Sequence, residues 1–150
     1  MAALAAAVIG LDQVTKTIVA ATLSEGESIR LIGDVLRLSH FRNSGAAFGL
    51  LRGFGGVFAL AALVGVIAFI GVIVRRPPPW IGVAAALVAA GALGNLLDRL
   101  FRGPVGRGTV VDFVDFRFWP AFNVADASIS IGALLLIAAT WRERGEDRGS

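Results

Sequence analysis

The chain contains no cysteine and no tyrosine, and its one histidine is His40. Without cysteine there is no disulfide framework, no thiol nucleophile and no zinc-thiolate site, and one imidazole cannot form a histidine metal cluster. No metal and no cofactor are expected. Charge is also scarce, at 17% of 150 residues, and 14 basic against 11 acidic side chains leave a net charge of +3. That charge is scattered between apolar runs instead of gathered on one basic face, so nucleic acid is not an expected partner. Hydrophobic residues make up 56% of the chain and mean hydropathy is +0.76, beyond ordinary globular usage.

Residues 54–74 run twenty-one positions without a charge, and about twenty helical residues cross a bilayer core. Residues 80–99 and 123–141 read as further spans whose polar residues gather at one end, and residues 2–23 as a fourth despite Asp12, Gln13 and Lys16. No Lys or Arg precedes Asp12, so a cleaved signal peptide is not the expected reading of the first span. The expected fold is an all-α membrane protein, residues 1–150 forming one domain of four transmembrane helices, with 142–150 a flexible polar tail. The connection 75–79 is a short Arg-Arg-Pro-Pro-Pro turn. Residues 28–42 and 110–119 alternate in part between apolar and polar, which predicts a small β-like segment on the membrane surface. Charge counting does not orient the bundle, since the turn and tail hold five Arg and the longer connections, with Arg99, hold eight.

An antiparallel bundle brings the ends of odd spans and the starts of even spans to one face. Asn43-Ser44-Gly45, Asn95, Asp98-Arg99, Asn123 and Asp126 then converge on the face away from the termini. Asp12 and Lys16, four apart, can pair across a helical turn and hold the first helix in place. Asp98 with Arg99 reads as a boundary ion pair. In an extended 110–119, Asp115 shares a face with Arg117, whereas Asp112 sits among Val110, Val114 and Phe116 without a partner, which raises its pKa. Asp126 lies about one turn inside its span with Asn123 on its own face. The structural reading of this pair is a helix cap and a loop acid. The chemical reading is two carboxylates sharing one proton, one activating water and the other protonating a peptide carbonyl, without a metal. A Ser-His scheme is disfavoured because His40 is distant in sequence from Ser128 and Ser130.

Five motifs, in order, resemble one family: Asp12-Gln13-Val14-Thr15-Lys16, Asn43-Ser44-Gly45-Ala46-Ala47-Phe48-Gly49, Gly91-Ala92-Leu93-Gly94-Asn95-Leu96-Leu97-Asp98-Arg99, Val110-Val111-Asp112-Phe113-Val114-Asp115-Phe116 and Phe122-Asn123-Val124-Ala125-Asp126. The chain is similar to the bacterial lipoprotein signal peptidases, signal peptidase II, from Asp12 to about Ile131. The resemblance implies an aspartic endopeptidase of the inner membrane with cytoplasmic termini and a site near the outer leaflet. It removes signal peptides from diacylglyceryl-modified prolipoproteins just before the lipidated cysteine. It implies Asp112 and Asp126 as the catalytic dyad, and Asp12, Lys16, Asn43, Gly45, Gly91, Asn95, Arg99, Asn123 and Ala125 as substrate-binding or support residues. Residues 28–42 resemble its surface cradle. The expected partners are the lipidated precursor and membrane lipid, with the enzyme a monomer. The Gly- and Arg-rich link before Val110, and Thr109 where the family commonly has His, depart from its pattern.

A rival reading is a small membrane transporter or channel subunit whose acids relay protons or bind a cation. The acids gather at one face, and residues 54–74 offer no polar groups at intermediate depths, which argues against it. A structural assembly subunit would explain the small residues but not Asp112.

Overall fold

The computed structural model describes residues 1–44, 64–65, 67, 71, 78–103 and 108–146. In chain order these form α1 (Ala2–Thr22), β1 (Ser28–Ile32), β2 (Leu36–Asn43), α2 (Pro79–Phe101), β3 (Val110–Asp115) and α3 (Val124–Glu146). Of the expected span at 54–74, only residues 64–65, 67 and 71 are among the described residues. Two of the described helices, Ala2–Thr22 and Pro79–Phe101, are long and apolar enough to cross a membrane, and α3 carries a shorter apolar stretch, Val124–Ala139. Residues 142–146, expected in the polar tail, continue α3.

Helix α1 is turned inside out relative to a helix of a water-soluble protein. Its stripe at Asp12, Lys16, Val19 and Leu23 is buried, with Asp12 and Lys16 fully so, while Leu11, Val14 and Ile18 are each more than half exposed. Water would penalise that exposed apolar face, and a bilayer favours it. Helix α2 starts with Pro79 at its first turn, where the missing N–H costs nothing. Its buried face is built from Ala84, Ala85, Ala86, Ala89, Ala90, Gly91 and Gly94. Such small side chains let backbones approach closely. A Cβ at Gly91 would run into the Ala125 carbonyl oxygen and lie 2.7 Å from Ile129 Cγ1, so α2 and α3 touch there through backbone.

The three strands form one antiparallel sheet in the order β1-β2-β3. Residues 28–42, expected as extended, are a hairpin that reverses at Gly33, whose φ of 48° lies in the left-handed region glycine tolerates. The β2–β3 register pairs Arg37 with Asp115 and Leu38 with Val114, then shifts so that Phe41 opposes Asp112. Ser39 and His40 occupy this bulge, and both are buried. His40 Nδ1–H donates to the Leu23 carbonyl oxygen at 2.8 Å, tying the hairpin to the end of α1. Val19, Leu23, Val111 and Phe113, with Leu38, Val114 and Val124, form the apolar seat between bundle and sheet. That seat holds β3, and with it Asp112, over the starts and ends of the helices. Strand β3 stops at Asp115, short of the expected 110–119, because the chain turns through a positive φ of 61° at Arg117.

Candidate active site

Two polar clusters share the centre of the molecule. The first ties α1 to α2. The three ammonium protons of Lys16 find three acceptors: Asp12 Oδ2 at 2.8 Å, Asp98 Oδ2 at 3.0 Å and Asn95 Oδ1 at 3.0 Å. Arg102 Nε donates to Asp98 Oδ1 at 2.7 Å. Two carboxylates thus face two cations, and the buried cluster is neutral. The expected pairing of Asp98 with its neighbour Arg99 is replaced by Lys16 and Arg102. The i+4 spacing lays Arg102 over Asp98, whereas adjacent residues point 100° apart around a helix. Asp12 Oδ1 also accepts the Ala125 N–H at 2.9 Å, so the same carboxylate anchors the first turn of α3. Gln13 Nε2 lies 3.1 Å from Asp12 Oδ2, Gly94 O and Asp98 Oδ1.

The second cluster joins β2, β3 and α3. Asn123 caps α3: its Oδ1 accepts the Asp126 N–H at 3.0 Å, and its own N–H donates to Asp126 Oδ2 at 3.3 Å, a reciprocal cap. Asn123 Nδ2 donates to Asp112 Oδ1 at 2.7 Å, and Asn43 Nδ2 to Asp112 Oδ2 at 3.1 Å. Asp112 is therefore not the partnerless acid that strand alternation implies. Its carboxyl is nonetheless raised from 3.8 to about 6, first by burial and then by the charge of Asp126, against the two amide donors and Lys16. The other acid, Asp126, accepts Asn95 Nδ2 on Oδ1 at 2.7 Å. Asn95 is the link between clusters, accepting from Lys16 and donating to Asp126. Arg99 Nη1 donates to the Asn95 carbonyl oxygen at 3.1 Å, and its guanidinium is within electrostatic reach of Asp126, Asp112 and Asp98.

Asp12, Lys16, Asn43, Gly91, Asn95, Arg99, Asp112, Asn123, Ala125 and Asp126 are thus brought to one place; Gly45 lies outside the described residues. The three asparagines, expected as substrate-binding or support residues, spend side-chain donors on the two acids, and Asn123 also donates to Asn95. Gly94 was not singled out: a Cβ there would lie 2.7 Å from Asp12 Oδ2, so glycine admits the carboxylate. Gln13 stood beside Asp12 in an apolar span and Asp98 in the third motif, but nothing in sequence joins them. Asp126 opens onto a cleft of about 340 Å³ lined by Trp119, Phe122, Ala127, Ser130 and Ile131. Among the described residues there is no group of three His, Cys, Asp or Glu placed to hold a metal.

Two electrostatically coupled carboxyls, one of them raised to about 6, beside a mostly apolar cleft in an apolar-surfaced bundle describe a membrane enzyme. Solved structures agree. One bacterial membrane enzyme superposes with a TM-score of 0.87 at 36% identity over 95% of this chain and 88% of its own, and another with 0.81 at 37% over 91% and 89%. The family model for signal peptidase (SPase) II matches residues 4–142, and the chain belongs to that family. The lipoprotein signal peptidase of Rhodococcus jostii is 42% identical over 138 residues, 91% of this chain and 70% of its own. That of Mycolicibacterium smegmatis is 44% identical over 135 residues, 89% of this chain and 57% of its own.

Proposed function

We propose that this member of the signal peptidase II family cleaves the signal peptides of lipoprotein precursors as an aspartic endopeptidase, with Asp112 and Asp126 as its catalytic pair. One observation carries the assignment: they are the two acids whose charges couple across a shared asparagine, and one of them, Asp112, is raised to about 6. In this scheme Asp112 carries the proton of the pair and acts as the acid, and Asp126 acts as the base. Asp126 takes a proton from a water molecule as its oxygen attacks the scissile carbonyl carbon, and Asp112 gives its proton to the carbonyl oxygen. The resulting gem-diol collapses when the proton now on Asp126 passes to the departing nitrogen and Asp112 recovers its own. The C–N bond breaks, one water is consumed, and the pair returns with one proton. No metal enters this scheme.

Asn43 and Asn123 hold the Asp112 carboxyl, and Asn95 the Asp126 carboxylate, so neither rotates away between steps. The substrate is the diacylglyceryl-modified precursor, cut just before the lipidated cysteine, and it enters laterally from lipid. The enzyme is a four-span monomer of the bacterial inner membrane with cytoplasmic termini and its site near the outer leaflet. The sheet lies on that surface, and Gly45 counts among the support residues.

The test is gel-shift cleavage of a diacylglyceryl-modified precursor by the detergent-purified protein, with Asp112→Asn, Asp126→Asn and a chelator arm. Each variant is expected to unfold near the wild-type temperature and to lose at least roughly 10²-fold in rate, the scale of general acid–base catalysis. The chelator should change nothing. Full cleavage by either folded variant would overturn the dyad. A folded wild type without cleavage would return the acids to proton relay or a structural role.

A further inference from the structure

Among the described residues, one buried acid belongs neither to the catalytic pair nor to the ion cluster of Lys16. Asp115 ends β3 and is buried. Its Oδ2 accepts Ser39 Oγ–H at 3.2 Å, and Ser39, buried in the β2 bulge, shares a second hydrogen bond with Ser28 Oγ at 2.8 Å. Its Oδ1 accepts the Arg117 N–H at 2.9 Å. Arg117 is the one described non-glycine residue with positive φ, 61°, and around it the Phe118 N–H donates to the Phe116 carbonyl at 2.6 Å. That is a γ-turn of the strained hand, which a side chain-bearing residue adopts only when its surroundings hold it there. The carboxylate of Asp115 supplies that hold.

The turn determines where the next residues go. Phe116 faces Phe118 at 5.8 Å and stacks on Phe122 at 6.1 Å between ring centroids, and the segment returns to β3 through paired hydrogen bonds between Phe122 and Val114. Trp119 and Phe122, on this returning loop, line one cleft together with Asp126, Ala127, Ser130 and Ile131 of α3.

We infer that Asp115 is a positioning residue for substrate binding: anchored by Ser39, it fixes the γ-turn at Arg117 and so sets the Trp119–Phe122 wall against which the apolar part of the substrate packs beside Asp126. The inference rests on the dyad reading. It predicts an effect on KM with little on kcat, because Asp115 does not reach the reacting atoms.

The experiment measures kcat and KM with the detergent-purified enzyme and a diacylglyceryl-modified precursor peptide for Asp115→Ala, Asp115→Asn, Ser39→Ala and the double variant Asp115→Ala/Arg117→Gly. Asp115→Ala should raise KM about tenfold with kcat within about twofold. Asp115→Asn, whose amide oxygen still accepts the Arg117 N–H, should stay within about threefold of wild type in KM. The double variant should recover most of the loss, because glycine takes positive φ without a clamp. Ser39→Ala should raise KM in the same sense by a smaller factor, and it carries the test if Asp115→Ala does not fold. Two substrate series, one with shortened acyl chains and one with trimmed side chains before the scissile bond, identify the apolar group the wall receives. The series to which Asp115→Ala becomes insensitive is the one that contacts it. Unchanged KM in folded variants, equal losses in kcat and KM, or no recovery in the glycine double variant would overturn the inference. Asp112→Asn, run alongside, separates the two failures: if it is inactive while Asp115→Ala behaves as wild type, the positioning role alone fails.

Discussion

Replacing Lys16 with methionine keeps the length and apolar stem of the side chain and removes one buried charge. In the wild type Lys16 is fully buried and all three of its protons are used. Without it, Asp98 keeps Arg102 at 2.7 Å and the Val111 N–H at 3.3 Å. Asp12 keeps only neutral donors, Gln13 Nε2 at 3.1 Å and the Ala125 N–H at 2.9 Å. A neutral cluster becomes one with an uncompensated anion, and breaking a buried pair in this way costs about 3–5 kcal/mol. For a chain of this size, 1 kcal/mol is worth roughly 2–4 °C in unfolding temperature. Lys16→Met should therefore unfold roughly 6–20 °C below wild type in detergent. Lys16→Met/Asp12→Asn restores neutrality and keeps an oxygen for the Ala125 N–H, so it should recover at least half of that loss. A single variant that unfolds within about 2 °C of wild type, or a double variant less stable than the single, would refute this account of the ion cluster.

The pH dependence follows from Asp112. Because its carboxyl is raised to about 6, kcat/KM should fall toward a tenfold loss per pH unit above that value as the pair loses its shared proton. The same shift favours the native state when Asp112 is protonated. About 3 kcal/mol of stability is present below the unfolded value near 3.8 and lost as pH rises to about 6, and Asp112→Asn should abolish that slope in detergent unfolding. Asn43→Ala removes a donor that holds Asp112 down, so the alkaline limb of the rate profile should move to higher pH; a shift the other way would exclude this role. Gly91→Ala puts a methyl group into the Ala125 carbonyl, an overpacking worth about 1–3 kcal/mol. It should lower both the unfolding temperature and the cleavage rate, since Ala125 adjoins Asp126.

The long spans are legible because a bilayer reads composition: length and an apolar run before Asp98 mark α2, while α1 reads as a span despite Asp12 and Lys16. The β character of 28–42 and 110–119 also showed in alternation. Two features were hidden for physical reasons. Alternation assigns Asp112 to an apolar face, but the partners that hold it, Asn43 and Asn123, come from another strand and a helix cap, and sequence spacing carries no information about contacts 69 residues apart. Likewise Asp115 was paired with the Arg117 side chain, as an unbroken strand would require. The structure gives it the Arg117 backbone N–H, because the strand ends in a γ-turn. Asp98 shows a third limit. Adjacency suggested Arg99, and helical geometry chose Arg102 and, from the next helix, Lys16.

The two clusters also explain why an amide, and not a cation, stands between them. An ammonium in contact with Asp126 or Asp112 would hold that carboxylate ionised well below neutrality, and a pair so charged could not keep the proton it must donate. Lys16 instead neutralises Asp12 and Asp98 and touches neither catalytic acid: Asn95 stands between it and Asp126, and its charge is the smallest of the influences on Asp112. The order of influences on Asp112 fits this separation: burial and Asp126 raise it, the amides of Asn43 and Asn123 oppose them, and Lys16 contributes least. The helices are therefore fastened by full charges, while the hydrogen bonds that hold the acids come from the neutral amides of Asn43, Asn95 and Asn123, with the Arg99 guanidinium within electrostatic reach. Burial can then raise Asp112 to the pH at which a shared proton is useful, while the ion cluster that fastens the helices stays neutral on its own.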